Sequence, residues 1–125
     1  MDRCVEFIKE CKVFFVSTLF QNMPNSRPFG AIMYDDMYLY IATSKIKNVY
    51  NEIMANNHVG ITALLPGTRD WVRLYTLAEV EESIEMKQRM FDENPILNEK
   101  YNTVNDPNLV LFRLTVLNKD EYFTN

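Results

Sequence analysis

Apolar positions along this chain change their period several times, and each change marks an element. Over residues 2–11, Cys4, Phe7, Ile8 and Cys11 recur at helical spacing and predict a helix with one apolar stripe. Residues 12–20 are rich in β-branched and aromatic types, which predicts a strand. Gln21 to Ser26, with Asn22, Pro24 and Asn25, reads as a polar turn. A second strand is expected over 28–34, and Asp35-Asp36 makes a tight turn into a third over 37–43.

The next helix has the clearest pattern. Ile46, Val49, Tyr50, Ile53 and Met54 fall at i, i+3, i+4, i+7 and i+8, one face of a helix. Ser44 is the expected N-cap, and Asn56-Asn57 ends the helix. His58 to Leu65 reads as a fourth strand, closed by the turn signal Pro66-Gly67. Residues 70–80 form a long fifth strand. Val72, Leu74, Thr76, Ala78 and Val80 share one of its faces, and Trp71, Arg73, Tyr75 and Leu77 the other. Ser83 caps a helix over 84–93 that stops before Pro95. A polar connector with one short helical turn follows, and 109–118 closes as a strand with Val110, Phe112, Leu114 and Val116 inward. The order α-β-β-β-α-β-β-α-β predicts an α+β fold built on a small, mostly antiparallel barrel of six strands.

Composition narrows the class. A chain of 125 residues is expected to form a single domain over 1–125. The formal charge of −4 argues against a nucleic-acid binder with a broad basic face, while leaving room for a local cationic pocket. No apolar run reaches membrane-spanning length. The acidic residues at the start are unlike a signal peptide, so the expected compartment is the cytoplasm. Cys4 and Cys11 are too far apart along one helix to bridge each other, and no Cys/His cluster signals zinc. The three glycines, Gly30, Gly60 and Gly67, are too scattered for a Rossmann or P-loop phosphate motif.

Three segments carry candidate chemistry. Thr43-Ser44-Lys45-Ile46-Lys47-Asn48 joins a strand to a helix. Its hydroxyls, ammonium groups and helix-start N–H groups suit a phosphate. On spacing alone the simpler reading is a plain capped helix with solvated lysines. Arg27-Pro28-Phe29-Gly30 pairs a guanidinium able to clamp an anion bidentately with a glycine that admits a flat ligand against the backbone. The plain alternative is a turn arginine leading into an edge strand. Trp71, Arg73 and Tyr75 stand together on the outward face of their strand, as an interface or a ligand wall, or as scattered surface residues. The lone His58 reads as structural.

In this order and spacing, the three segments resemble the pyridoxamine 5′-phosphate oxidase-like FMN-binding split β-barrels, and the chain looks closest to their short, single-domain members. The resemblance extends over nearly the whole chain. It implies a six-stranded split β-barrel with flanking helices, a homodimer, and an FMN at the interface serving a small-molecule substrate through oxidoreductase chemistry. It places Arg27, Thr43, Ser44, Lys47 and Asn48 around the phosphate, and Pro28, Phe29 and Gly30 along the isoalloxazine ring. Trp71 and Arg73 would come from the second subunit. Many relatives carry two adjacent basic residues where this chain has Lys47-Asn48. Asn48 brings no charge, so either phosphate affinity is lower or Lys45 compensates, with Arg69 a further candidate. Other readings are a non-catalytic flavin-binding protein, a haem- or deazaflavin-binding relative, and a cofactor-free interaction module using the Trp71 face.

Overall fold

The computed structural model describes residues 1–124, so the final residue of the domain expected over 1–125 lies outside the described ones. The elements are α1 (Asp2–Cys11), β1 (Phe14–Phe20), β2 (Met23–Phe29), β3 (Ile32–Tyr34), β4 (Leu39–Ser44), α2 (Asn48–Ala55), β5 (His58–Leu64), β6 (Trp71–Glu81), α3 (Ile84–Glu93), α4 (Leu97–Lys100) and β7 (Leu109–Tyr122). The fold is α+β and mostly antiparallel, as expected. The sheet has seven strands rather than six, in the order β2-β1-β5-β6-β7-β4-β3.

The extra strand comes from the segment read as a polar turn. Gln21 and Asn22 both adopt positive φ, 53° and 63°, the backbone of a tight two-residue hairpin whose twist matches its flanking strands. The chain then doubles back, and Met23 to Phe29 pairs with β1 in continuous register from Phe20↔Met23 to Phe14↔Phe29. Pairing overrides the poor strand propensity of Pro24, Asn25 and Ser26. The two prolines are tolerated because β2 lies at the sheet edge. The strand expected over 28–34 is accordingly broken at Gly30-Ala31 into β2 and β3.

That two-residue link shapes the molecule. β2 and β3 occupy opposite ends of the strand order, yet Phe29 and Ile32 are three residues apart in sequence, within roughly 10 Å of each other. The sheet must therefore curl until its edges meet, while no ladder joins β2 to β3 among the described strands. The result is a barrel left open along one seam.

Two apolar clusters fill the fold. The larger lies inside the curl and gathers Ile8, Phe14, Val16, Ile41, Ile53, Ile61, Leu74, Phe112 and Leu114. The smaller lies under α3 and α4 and gathers Ala31, Met33, Tyr40, Met90, Phe91, Leu97, Tyr101, Leu109 and Leu111. Both faces of the first half of β7 are thus buried, which its inward-facing alternation alone did not predict. Ser83 caps α3 as expected, its hydroxyl accepting the Met86 N–H at 3.2 Å.

Helix α2 departs from its sequence reading. Ser44 ends β4 and is not the N-cap. Lys45 to Lys47 form a turn, and the helix begins at Asn48 with Lys47 in the cap position. Ile46 and Met54 are exposed despite fitting the apolar stripe. Glu52 is buried instead, because the helix turns that face toward the β1–β2 hairpin.

Candidate functional site

The Lys45–Lys47 turn is pinned at both ends. The Lys45 N–H donates to the Asn108 carbonyl (2.8 Å), and the Lys47 N–H to the Ser44 carbonyl (3.0 Å). No side chain caps α2; the Tyr50 N–H donates to the Lys47 carbonyl (3.1 Å), which leaves the Asn48 and Val49 N–H groups for water or a ligand. The side chains of Lys45, Lys47 and Asn48 are all exposed. Thr43 and Ser44 are buried, at 4% and 7% exposure. The Ser44 hydroxyl accepts the Ile46 N–H at 3.4 Å.

A cleft of about 140 Å³ opens at this turn. One wall is Pro28, Phe29, Gly30 and Ala31, at the open seam of the barrel. Another is Ala42, Thr43 and Lys47, and the third is Ile96, Leu97, Lys100 and Tyr101 around α4. A shallower opening of about 420 Å³ continues from it past Ser44, Ile46, Asp106 and Asn108, sharing Lys47, Lys100 and Tyr101. Two sequence motifs 13 to 19 positions apart thus meet at one place, because the curl sets the β2–β3 seam beside the end of β4. Lys100 and Tyr101 were missed. Their connector carries no motif, and only the packing of α4 on the smaller core brings them here.

Gly30 lies on the cleft wall with open space at its backbone. A Cβ added there would meet only the Lys12 carbonyl at 3.7 Å, an ordinary contact, and its φ does not lie in the left-handed region. Nothing within the described residues therefore demands glycine at this position.

Arg27 sits differently from the phosphate clamp the resemblance implies. Its Nη2 donates to Glu52 Oε1 at 2.8 Å. Its Nη1 donates to the Val16 carbonyl (3.1 Å) and Thr18 Oγ1 (2.9 Å). Thr18 (2.6 Å) and Asn25 (3.3 Å) also donate to Glu52 Oε1. The Thr18 hydrogen bond and then Arg27 hold the Glu52 carboxyl below its ordinary range, outweighing the opposing effect of burial. This polar cluster ties α2 to the hairpin, and Arg27 does not line the cleft.

Trp71 and Arg73 lie elsewhere in the same chain. They stand on the outward face of β6, where Arg73 donates to Asp120 Oδ2 (2.9 and 3.3 Å) and Tyr75 adds a third bond (3.1 Å). The Arg73 guanidinium lies 5.4 Å from the Trp71 ring centre and 5.5 Å from that of Tyr75, within cation–π range. Pairing sets Leu64 beside Trp71 and Tyr122, and Phe15 beside Thr62, Arg73 and Asp120. Phe15, Leu19, Leu64, Tyr75, Leu117 and Tyr122 are all at least 40% exposed. This is an aromatic and aliphatic sheet face around one central ion pair, far more apolar than a surface of scattered residues. Arg69, exposed in the turn before β6, lines neither opening.

His58 is exposed at the first position of β5. No metal-binding group of His, Cys, Asp and Glu occurs among the described residues, and no described helix is long and apolar enough to cross a membrane.

An open-seamed antiparallel barrel with a cleft between its seam and a strand–helix turn defines a class of protein, and sequence comparison agrees with it. The profile of the pyridoxamine 5′-phosphate oxidase family matches residues 1–118, and the chain belongs to that family. Among solved structures, it is similar to a NimC/NimA family protein from Clostridium acetobutylicum, at 25% identity and a TM-score of 0.84 over 98% of this chain and 90% of that one. It shares its fold with general stress protein 26 from Bacillus anthracis (22%, TM-score 0.82, 96% and 91%). The haem storage protein HutZ from Vibrio cholerae also has this fold (17%, TM-score 0.77, 97% and 92%). No protein of curated function matches the chain.

Proposed function

We propose that this protein is a homodimeric, FMN-dependent oxidoreductase whose cofactor lies in the cleft between the β2–β3 seam and the Thr43–Asn48 turn. The observation that carries the reading is the convergence of Pro28-Phe29-Gly30 with Thr43 and Lys47 in one cleft. The chemistry of the donors fits a phosphorylated flat molecule. Thr43, Lys47 and the uncapped start of α2 supply hydroxyl, ammonium and N–H donors, and Gly30 admits a ring against the backbone.

The cleft also supports a dimeric site. At about 140 Å³ the cleft alone is smaller than the roughly 300–1,000 Å³ of a complete small-molecule pocket, and its shallow continuation leaves room for a second wall. The apolar face around Trp71 and Arg73 suits association of two copies, and the partner copy would bring these residues to the cofactor. FMN, when bound, supplies hydride or electron transfer at its N5. The chain's own residues hold the phosphate at Thr43, Ser44 and Lys47 and orient the ring along Pro28 and Phe29; the Asn48 side chain, expected there, lines neither opening. The wall around Ile96 and Leu97 keeps water from one side. Arg27 acts at one remove, through Glu52 and α2. The substrate is a small molecule admitted beside the ring.

The test is the absorbance spectrum of the purified protein, followed by titration with FMN. A flavin spectrum, or FMN binding with a stoichiometry of one per chain, supports the reading. A haem or deazaflavin spectrum transfers the cleft to that cofactor. Reduction of bound FMN by NADH or NADPH, followed in flavin absorbance, separates an oxidoreductase from a non-catalytic flavin-binding protein. A colourless protein that ignores FMN sinks the proposal and favours a cofactor-free interaction module.

A further inference from the structure

We infer that Lys100 and Tyr101, at the end of α4, form the second half of the anion-binding site. Lys100 supplies the positive charge that Asn48 lacks. The inference rests on the reading of the cleft as a phosphate site, and it replaces Lys45 as the compensating cation.

Lys47 and Lys100 line both the cleft and its outer continuation, whereas Lys45 lines neither. Neither Lys47 nor Lys100 has a carboxylate within 4 Å among the described residues. Both lysines are exposed, and an anion held between them would receive charge-assisted hydrogen bonds from both. Asp106, the carboxylate of the outer opening, accepts the Asn108 N–H at Oδ1 (2.9 Å); burial, and then the nearby Asp106 charge, hold the Tyr101 phenol above its ordinary range.

Two hydroxyls on largely buried residues are free to bond a ligand there. Thr43 is 4% exposed and Tyr101 is 8% exposed. Both line the cleft, and neither hydroxyl has a hydrogen-bond partner among the described residues. No buried polar side-chain atom fully sealed from solvent lacks a partner among the described residues, so these two hydroxyls reach solvent. Buried hydroxyls are ordinarily satisfied. A phosphate between Thr43, Lys47, Lys100 and Tyr101 would satisfy both and neutralise the two cations.

The arrangement makes α4 part of the binding site rather than a passive connector, and it selects phosphorylated over unphosphorylated ligands. The experiment compares wild type with Lys100→Gln and Tyr101→Phe, changes that leave the aliphatic and aromatic packing in place. The probes are FMN, riboflavin and inorganic phosphate. Wild type is expected to prefer FMN to riboflavin, and each variant to lose about tenfold in FMN affinity, as for removal of one charge-assisted partner. Riboflavin affinity should be unchanged. Inorganic phosphate should broaden or shift the amide resonances of Thr43, Lys47 and Tyr101 in wild type and do so at higher concentration in Lys100→Gln. Lys100→Arg should restore most of the preference. If Lys100→Gln binds FMN and phosphate as wild type does, the inference is overturned while the flavin reading stands. If phosphate binding responds to Lys100 and FMN does not bind, the flavin reading fails and the anion site stands.

Discussion

Arg27 is paired and stands off the cleft, whereas Lys47 is unpaired among the described residues and lines it. Arg27 is held by Glu52, Thr18 and the Val16 carbonyl, so its removal strands a buried carboxylate. Arg27→Met is expected to lower stability by about 2 kcal/mol in urea unfolding, with part of the loss recovered in the Arg27→Met/Glu52→Gln double variant. A direct phosphate ligand would instead lose FMN affinity at unchanged stability. The pH dependence follows from the depressed Glu52 carboxyl. Its ordinary value is 4.5 and its folded value lies lower. Its stabilising contribution is therefore complete above 4.5 and is lost as pH falls through the folded value. Denaturation midpoints between pH 6 and 3 should fall less steeply in Glu52→Gln than in wild type. Lys47 is exposed and contributes little to the fold. Lys47→Ala should leave the melting temperature within a degree or so while weakening FMN about tenfold, read by fluorescence titration.

At the scale of elements, two short features decide the geometry. The Gln21-Asn22 hairpin holds both central residues at positive φ, where an L-residue is strained and glycine is not. Asn22→Gly should therefore stabilise the protein by about 0.5 kcal/mol, visible as a higher urea midpoint, provided β2 is the paired edge strand described. A polar loop in its place would be loosened by the same change. At the other end, Ser83 caps α3 through the Met86 N–H. Ser83→Ala should cost about 1 kcal/mol. Because α3 presses Met90 and Phe91 into the core beneath α4, that loss should appear with increased hydrogen exchange at Leu97 and Tyr101. α4 has four residues, too few to be helical alone. It holds its place through Leu97 and Tyr101, so the third wall of the cleft depends on a core rather than on local propensity.

For the whole molecule, the outward face of β1, β5, β6 and β7 is the main unexplained surface of a single chain. Its row Leu64–Trp71–Tyr122 and its central Arg73–Asp120 pair combine apolar area with one fixed charge contact, the composition of an interface centre. Trp71→Ala is expected to raise the dimer dissociation constant by at least roughly tenfold, measured by sedimentation equilibrium, and FMN affinity should fall in parallel only where two chains build one site. A monomer in both wild type and variant would remove the second wall from the proposed function.

The sequence by itself determined the elements whose signals are local. The stripe of α1, the alternation of β6, the Ser83 cap and the order of motifs across the barrel are all written in side chains that report on their own neighbours, and they led to the family. It also named five of the eleven residues that line the cleft, because Pro28, Phe29, Gly30, Thr43 and Lys47 sit in short recognisable runs. Other features were decided only by tertiary structure. Met23 to Ser26 has the composition of a turn and becomes a strand because β1 offers an unpaired edge. Glu52 is polar on an otherwise apolar helix face because Arg27 and Thr18 wait beneath it. Lys100 and Tyr101 reach the cleft because Leu97 and Phe91 pack on the outer face of β7. In each case the deciding energy is a contact between residues distant in the chain, and no local pattern encodes a partner that only folding supplies.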